Sequence, residues 1–410
     1  MVPVSSASAD EIRNSQWWLD ELDLPRVHDE LTTGEGMRIG VIDTGVDADH
    51  PDIADNVVPG LDTFSRDTAA DGREDDMGHG TGMASLVAGH GHGDGGQDGV
   101  LGVAPGAEIV PVRIFPDGYD YYGDHADQET AKKIDFGMVE GIEWLVDEAE
   151  VDVIMIALGG TSFPELEDAT KYAVEDNNVP IVAGIGNKET TRYGDLGEAP
   201  ATYPEVFGVS ATEQGGDWWD GSVESKNVLL SAPGADITSA GLDGGYDEGA
   251  SGTSNATAIV AGVVALMRWQ WPDMAWDDIE WRITETADHP DDTEDEKGGD
   301  SKYGWGIVNP YEALTAEVEP PDGTSFEQIN PEPNPREPED EATVDGGDSD
   351  DAALTAADSG PPAWVWIAAA ASAAAVLAAV VLILMRRRQR VAATTPAASP
   401  PNPGPPDQTL

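Results

Sequence analysis

The chain has 410 residues, with 79 Asp and Glu against 21 Lys and Arg and a formal net charge of −58. So acidic a balance repels polyanions and leaves no basic stripe, which excludes nucleic acid as a partner. The absence of Cys excludes disulfides and thiolate metal sites, while 40% hydrophobic residues and 12 Trp supply a core for one large domain or two ordinary ones.

Met1–Gly36 lacks a positively charged start followed by an apolar stretch, so it does not read as an export signal. From there, short apolar runs alternate with helical patterns. Met37–Ile42 (MRIGVI), Ile109–Ile114 (IVPVRI), Val151–Leu158 (VDVIMIAL), Ile181–Gly184 and Val206–Ser210 predict buried strands. Between them Gly80–Ala88, Lys132–Glu148 and Leu166–Asn177 carry helical spacing. Asn255–Trp269 (NATAIVAGVVALMRW) is apolar almost all round and predicts a helix buried at the centre of the domain. The alternation implies an α/β fold with a mostly parallel central sheet and helices on both faces, in which ligands sit beyond the carboxyl ends of the strands.

The charge divides the remainder. Residues 317–362 hold 14 acids and one Arg among many Pro and few aliphatic residues, an extended, self-repelling linker. Residues 363–385 (AWVWIAAAASAAAVLAAVVLILM) carry no charge. As a helix they reach about 34 Å, enough for a hydrocarbon core of about 30 Å. Trp364 and Trp366 stand at one end and Arg386, Arg387 and Arg388 at the other, as interfaces favour. The expectation is a single transmembrane helix in the plasma membrane, with the basic, Pro-rich tail 386–410 cytoplasmic and the large N-terminal part outside. That topology calls for an export signal, so the chain reads as a mature or trimmed form or one with a misassigned start; a tail-anchored protein is the alternative.

Three residues stand where chemistry is expected. Asp43 closes the first strand in Val41-Ile42-Asp43-Thr44-Gly45, a costly place for a carboxylate unless it is paired. His79 sits in Gly78-His79-Gly80-Thr81-Gly82 at the head of a helix, with glycines that let other backbone approach. Ser254 sits in Gly252-Thr253-Ser254-Asn255-Ala256 at the start of the buried helix, whose unpaired N–H groups suit an oxyanion. Taken singly, each has a plain structural reading: a turn, a metal ligand or core residue, and an N-cap.

Taken together, Asp, His and Ser in that order resemble the subtilisin-like serine proteases. Val41–Val46, Gly78–Ala84 and Gly252–Gly262 carry the three signatures, Asn187 in Ala183-Gly184-Ile185-Gly186-Asn187 a fourth, and Leu158-Gly159-Gly160 a fifth. The resemblance covers roughly residues 15–312 of a peptidase domain placed at 37–316, behind an N-terminal extension at 1–36. It implies a serine endopeptidase acting on protein or peptide substrates, with Asp43, His79 and Ser254 catalytic and Asn187 with the Ser254 N–H stabilising the oxyanion. Leu158, Gly159 and Gly160 pair with the substrate backbone in this scheme, and no cofactor is needed.

Gln16-Trp17-Trp18-Leu19-Asp20, the run HGTGMASLVAGHG after the histidine, GVLGVAPGAEIVPVRI, and the linker, membrane helix and basic tail are together similar to the mycosins. Those are membrane-anchored subtilases of actinobacterial type VII secretion, and the resemblance implies association with the secretion membrane complex and processing of exported substrates. Two alternatives stay open: a general cell-envelope subtilase, and a structural subunit of the secretion complex with secondary protease activity. The chain departs from the family at Asn255, Ala258 and Ala157, where Met or Phe, Pro, and Ser are usual, and in having no disulfide. Ser5–Gly36 stands where mycosins have a short N-terminal extension, with Trp17 and Trp18 as anchors.

Other polar groups have plainer expectations. His50 reads as structural, and His90 and His92 as part of a solvated loop. The clusters Asp71–Asp76 and Asp291–Glu296 offer the oxygen ligands Ca²⁺ takes, but neither has EF-hand spacing and both read as solvated loops. Tyr119, Tyr121 and Tyr122 border the cleft or shield the sheet. The negative cleft is expected to prefer basic residues near the cut site.

Residues 1–316 carry a net −48, so the folded part repels itself at low ionic strength. At molar salt the Debye length falls to about 3 Å and screens that repulsion. The melting temperature followed by circular dichroism is therefore expected to rise between 0.1 and 2 M NaCl; an unchanged or falling value would show that the acidity is not a destabilising load.

Overall fold

The computed structural model describes residues 9–65, 70–119, 128–191, 197–290 and 299–318, so the expected linker, transmembrane helix 363–385 and basic tail lie outside the described residues. Among the described residues no helix is long and apolar enough to cross a membrane. Eleven strands occur there: β1 Arg38–Asp43, β2 Leu61–Asp62, β3 His90–His92, β4 Asp98–Leu101, β5 Glu108–Arg113, β6 Val153–Ile156, β7 Ile181–Gly184, β8 Val206–Thr212, β9 Leu230–Pro233, β10 Ile237–Ala240 and β11 Tyr246–Ala250. The α-helices are α1 Ala9–Ser15, α2 Trp17–Glu21, α3 Leu24–Glu30, α4 His79–Ala88, α5 Gln128–Asp147, α6 Pro164–Lys171, α7 Thr253–Gln270, α8 Trp276–Glu285 and α9 Pro310–Thr315.

Seven strands form one parallel sheet in the order β2-β5-β1-β6-β7-β8-β9. Successive strand residues face opposite ways, and the apolar runs fill both faces. Ile39, Val41, Val153, Met155 and Val182 enter one core with α4 and α7, whereas Ile42, Ile154, Ile156, Ile181 and Ala183 enter a second with α5 and α6. The result is the three-layer α/β arrangement expected from the alternation of strands and helices. Gly40 marks how closely α5 approaches the sheet: a Cβ there would stand 2.6 Å from Leu145 Cδ1.

The predicted strands and helices are present with ends moved by a few residues, and Leu166–Asn177 becomes α6 followed by a π-turn at Tyr172–Asp176. One expectation changes, and the structural reading of His50 holds. His90 and His92 do not lie in a solvated loop but form the β3–β4 hairpin, because the fully buried Asp52 carboxylate draws donors to it. His92 Nδ1 lies 2.5 Å from Asp52 Oδ1, and the Val100 N–H donates to Asp52 Oδ2 at 2.8 Å. His50 is also fully buried, with Nε2 3.0 Å from Gly245 O and Nδ1 accepting from the Asp52 N–H.

The N-terminal segment is woven into the same core. Ile12, Trp18, Leu24 and Val27 have no exposed surface. Arg13 donates to the carbonyls of Gly99 and Gly96, and Gln16 exchanges two hydrogen bonds, each of 2.9 Å, with the backbone of Leu101. Trp17 is partly buried and donates Nε1 to Asp236 O at 3.2 Å.

Candidate active site

Asp43 ends β1 in register with Arg113 of β5 and is fully buried. Its Oδ1 accepts from the Thr44 N–H at 2.7 Å and lies 2.8 Å from His79 Nδ1, while Oδ2 is buried with no hydrogen-bond partner among the described residues. His79 is the first residue of α4. Gly78 before it takes a φ of 85°, which favours glycine, and a Cβ on Gly80 after it would collide with Gly45 O. Thus the two glycines allow the β1 turn and the helix start to meet.

Burial alone pulls the His79 pKa down. The charge and hydrogen bond of Asp43, with Asp75 and Asp247 farther off, outweigh that and hold the imidazole above its ordinary value. Asp75, hidden in the sequence within an acidic cluster, is a hub for this turn. Its Oδ1 accepts from Thr44 Oγ1 and the N–H groups of Met77 and Gly78, and its Oδ2 from the N–H and Oγ1 of Thr81. Thr44 Oγ1 in turn accepts from the Gly80 N–H at 2.9 Å.

Ser254 is the second residue of α7 and half-buried, and its hydroxyl donates to Ala157 O at 2.9 Å. Asn187 follows β7, and its Oδ1 accepts from the N–H and Oγ1 of Thr253 at 2.9 and 3.1 Å. With Oδ1 committed, Nδ2 is the end of that amide left to meet a ligand. Gly252 has its backbone against the amide, a Cβ there standing 3.4 Å from Asn187 Nδ2.

One pocket is lined by His79, Ser254, Asn187, Leu158, Gly159 and Glu198, with Thr253 and Thr190 beside them. Gly160 is not in its lining: its N–H and C=O are bonded to Ala199 at 2.9 and 3.2 Å. Asn255 donates Nδ2 to Gly234 O and Ala250 O, tying α7 to its neighbours, and Ala258 is fully buried. Tyr119 packs its ring 5.3 Å from Phe115, whereas Tyr121 and Tyr122 lie outside the described residues.

No group of three or more His, Asp or Glu side chains is arranged to hold a metal ion among the described residues, and Asp291–Glu296 lies outside them. In the Asp71–Asp76 stretch, Asp71 pairs with Arg73, Asp75 serves the turn before His79, and Asp76 pairs with Arg113. Sequence reasoning missed three residues of this site. Thr253 was visible only as part of a signature, Asp75 only as one acid among several, and Glu198 not at all.

Removing the Asp75 carboxylate leaves five donors without their acceptor. A buried polar group left unsatisfied costs about 1–3 kcal/mol. Asp75→Ala is therefore expected to lower the melting temperature by several degrees; an unchanged melt would mean that water replaces the carboxylate at no cost.

A sequence model of the subtilase family matches residues 34–306. A thermostable alkaline protease of Halalkalibacterium halodurans is 30% identical over 293 residues, 72% of each chain. Subtilisin E of Bacillus subtilis is 29% identical over 292 residues, covering 71% of this chain and 69% of that one. Among solved structures, MycP1 from Mycobacterium smegmatis superposes with a TM-score of 0.63 at 27% identity, over 79% of this chain and 89% of the other. MycP3, a protease from the type VII (ESX-3) secretion system, gives a TM-score of 0.59 at 26% identity over 77% and 91%. The turn that pairs Asp43 with His79 and the buried helix headed by Ser254 thus belong to a member of the subtilase family of serine endopeptidases, with mycosins among its structural neighbours.

Proposed function

We propose that the chain is a membrane-anchored serine endopeptidase of type VII secretion, hydrolysing peptide bonds with Asp43, His79 and Ser254. The observation that carries the catalytic part is the 2.8 Å contact of His79 Nδ1 with the buried Asp43, beside a pocket shared by His79, Ser254 and Asn187. The apolar run at 363–385 supports the anchor, and the likeness to MycP1 and MycP3, whose structures are described as type VII secretion proteases, supports the secretion link.

Asp43 holds Nδ1 of His79 and leaves Nε2 as the basic nitrogen. The Ser254 hydroxyl turns from Ala157 O towards Nε2, gives up its proton, and Oγ attacks the scissile carbonyl carbon. The imidazolium, stabilised by Asp43, then protonates the leaving amine. Negative charge developing on the carbonyl oxygen is met by Asn187 Nδ2 and the Ser254 N–H at the positive end of α7. Loss of one such donor costs about 10²–10³ in rate, a magnitude known from this family. Water then enters and hydrolyses the acyl-enzyme by the same proton path in reverse.

A fluorophosphonate probe is expected to label the wild-type protein at Ser254 and to leave Ser254→Ala unlabelled. Absence of label on a folded wild type overturns the catalytic reading. The neutral imidazole is the base, so protonation removes activity as pH falls. Because His79 is held above its ordinary value, kcat/KM is expected to fall through a midpoint above about 6.5. A midpoint below that value would separate His79 from the acidic limb.

A further inference from the structure

We propose that Arg113 is a positioning residue: it braces one wall of the cleft, and through that wall the enzyme grips the stretch of peptide preceding the cut. This rests on the catalytic reading above and concerns how the same site holds its substrate.

Strand order places the wall. β1 lies between β5 and β6 in the parallel sheet, so the segments following β5 and β6 flank Asp43 at the end of β1. The segment after β6 carries Ala157, Leu158 and Gly159 to the pocket beside Ser254. An acyl group attacked by Ser254 sits in that pocket, and the chain leading to it has the segment after β5 as its facing wall. Phe115 and Leu158, one from each segment, belong to the same apolar core, and Tyr119 and Met77 pack against it.

Arg113 closes β5 in register with Asp43 and is 3% exposed. Its stem runs against the β1 turn, where a Cβ on Gly45 would stand 3.3 Å from Arg113 Cδ. The guanidinium then meets carboxylates from three parts of the chain. Nη2 donates to Asp117 Oδ1 at 2.8 Å and to Asp76 Oδ2 at 3.0 Å, and Nη1 lies 4.0 Å from Asp62 Oδ2. Asp62 ends β2, and Asp76 stands three residues before His79. Asp117 belongs to the turn in which the Tyr119 N–H donates to Pro116 O at 3.2 Å.

Burying a guanidinium is costly, and Nε has no hydrogen-bond partner among the described residues. The Asp117 side chain is 90% exposed and that of Asp76 49%, so solvent screens both pairs and they add little net stability. What the arrangement supplies is geometry. One nitrogen ties the turn after β5 to the turn before His79, so the wall keeps its place relative to the reacting groups. Without the cation, three carboxylates share one neighbourhood and push the Asp117 turn away.

The test uses two fluorogenic amides with the same residue at the cut, one carrying that residue alone and one carrying three more before it. The readout is the ratio of their kcat/KM values, which in the wild type is expected to favour the longer amide. In Arg113→Gln the ratio is expected to fall at least about five-fold, as two partly screened charge-assisted contacts supply. The loss should lie in KM of the longer amide rather than in kcat, the signature of a binding wall displaced. Asp117→Asn, at an exposed position that does not threaten the fold, is expected to lower the ratio at least about two-fold. The double variant should fall little below Arg113→Gln, because both changes remove one shared interaction.

A wild type that gains nothing from the added residues overturns the assignment. So does a ratio that survives in both single variants, or a loss that falls equally on both amides and so marks a merely structural role. If Arg113→Gln does not fold, Asp117→Asn decides alone. Fluorophosphonate labelling at Ser254 reports the hydrolase chemistry separately. A protein that labels while the ratio stays constant keeps the protease reading and loses the role of Arg113, whereas a wild type that neither labels nor cuts either amide removes both.

Discussion

A helix without a polar face has no stable place at a surface, and α7 is such a helix: Asn255–Arg268 are all buried. It must cross the sheet beneath a further layer, and it packs against β6, β7, β8, β9 and α4. Once that burial is imposed, the position of its first turn follows. Thr253 and Thr257 reach the end of β7, where a Cβ on Gly184 would stand 3.2 and 3.0 Å from their hydroxyls. Ser254 comes to Ala157 just after β6, and Thr253 orients the Asn187 amide just after β7. A demand of hydrophobic burial thus delivers a hydroxyl, a donor amide and the positive end of a helix to one point.

The acid–base side is assembled by polar groups instead. A carboxylate at the end of an interior strand is costly, and Asp43 offsets the cost through the Thr44 N–H and the His79 ring. Asp75 sits one turn away and ties Thr44, Thr81 and the entry to α4 together, so that the imidazole has little freedom to leave its partner. The two halves of the site therefore differ in kind: one is positioned by apolar packing, the other by a mesh of short hydrogen bonds.

Much of this was legible from residue order. The five apolar runs became strands of the central sheet because interior parallel strands must be apolar on both faces. Their ends moved because apolarity does not report where hydrogen bonding stops; Asp43 is a strand residue although charged, held by its pairing with β5. The short β9, which ends in Pro233, and the hairpins β3–β4 and β10–β11 escaped notice because three to five residues, most of the strands broken by Gly, Pro or charge, carry too little periodicity. Glu198 was invisible for another reason. Its place in the pocket wall follows from its neighbour Ala199 pairing with Gly160 about forty residues earlier, and nothing local to the sequence encodes that juxtaposition. The same holds for Asp52 and His92, which look like surface residues until the hairpin closes over them.

The stitching of the amino end into the domain has a practical corollary. Residues from Ile12 to Val27 supply side chains to the interior, and Arg13 and Gln16 hold the β3–β4 hairpin by its backbone. Shortening the chain from this side would remove Trp18 from the core it shares with α4 and α7 and strand the carbonyls of Gly99 and Leu101. Recombinant versions are better trimmed beyond α9 than at the beginning.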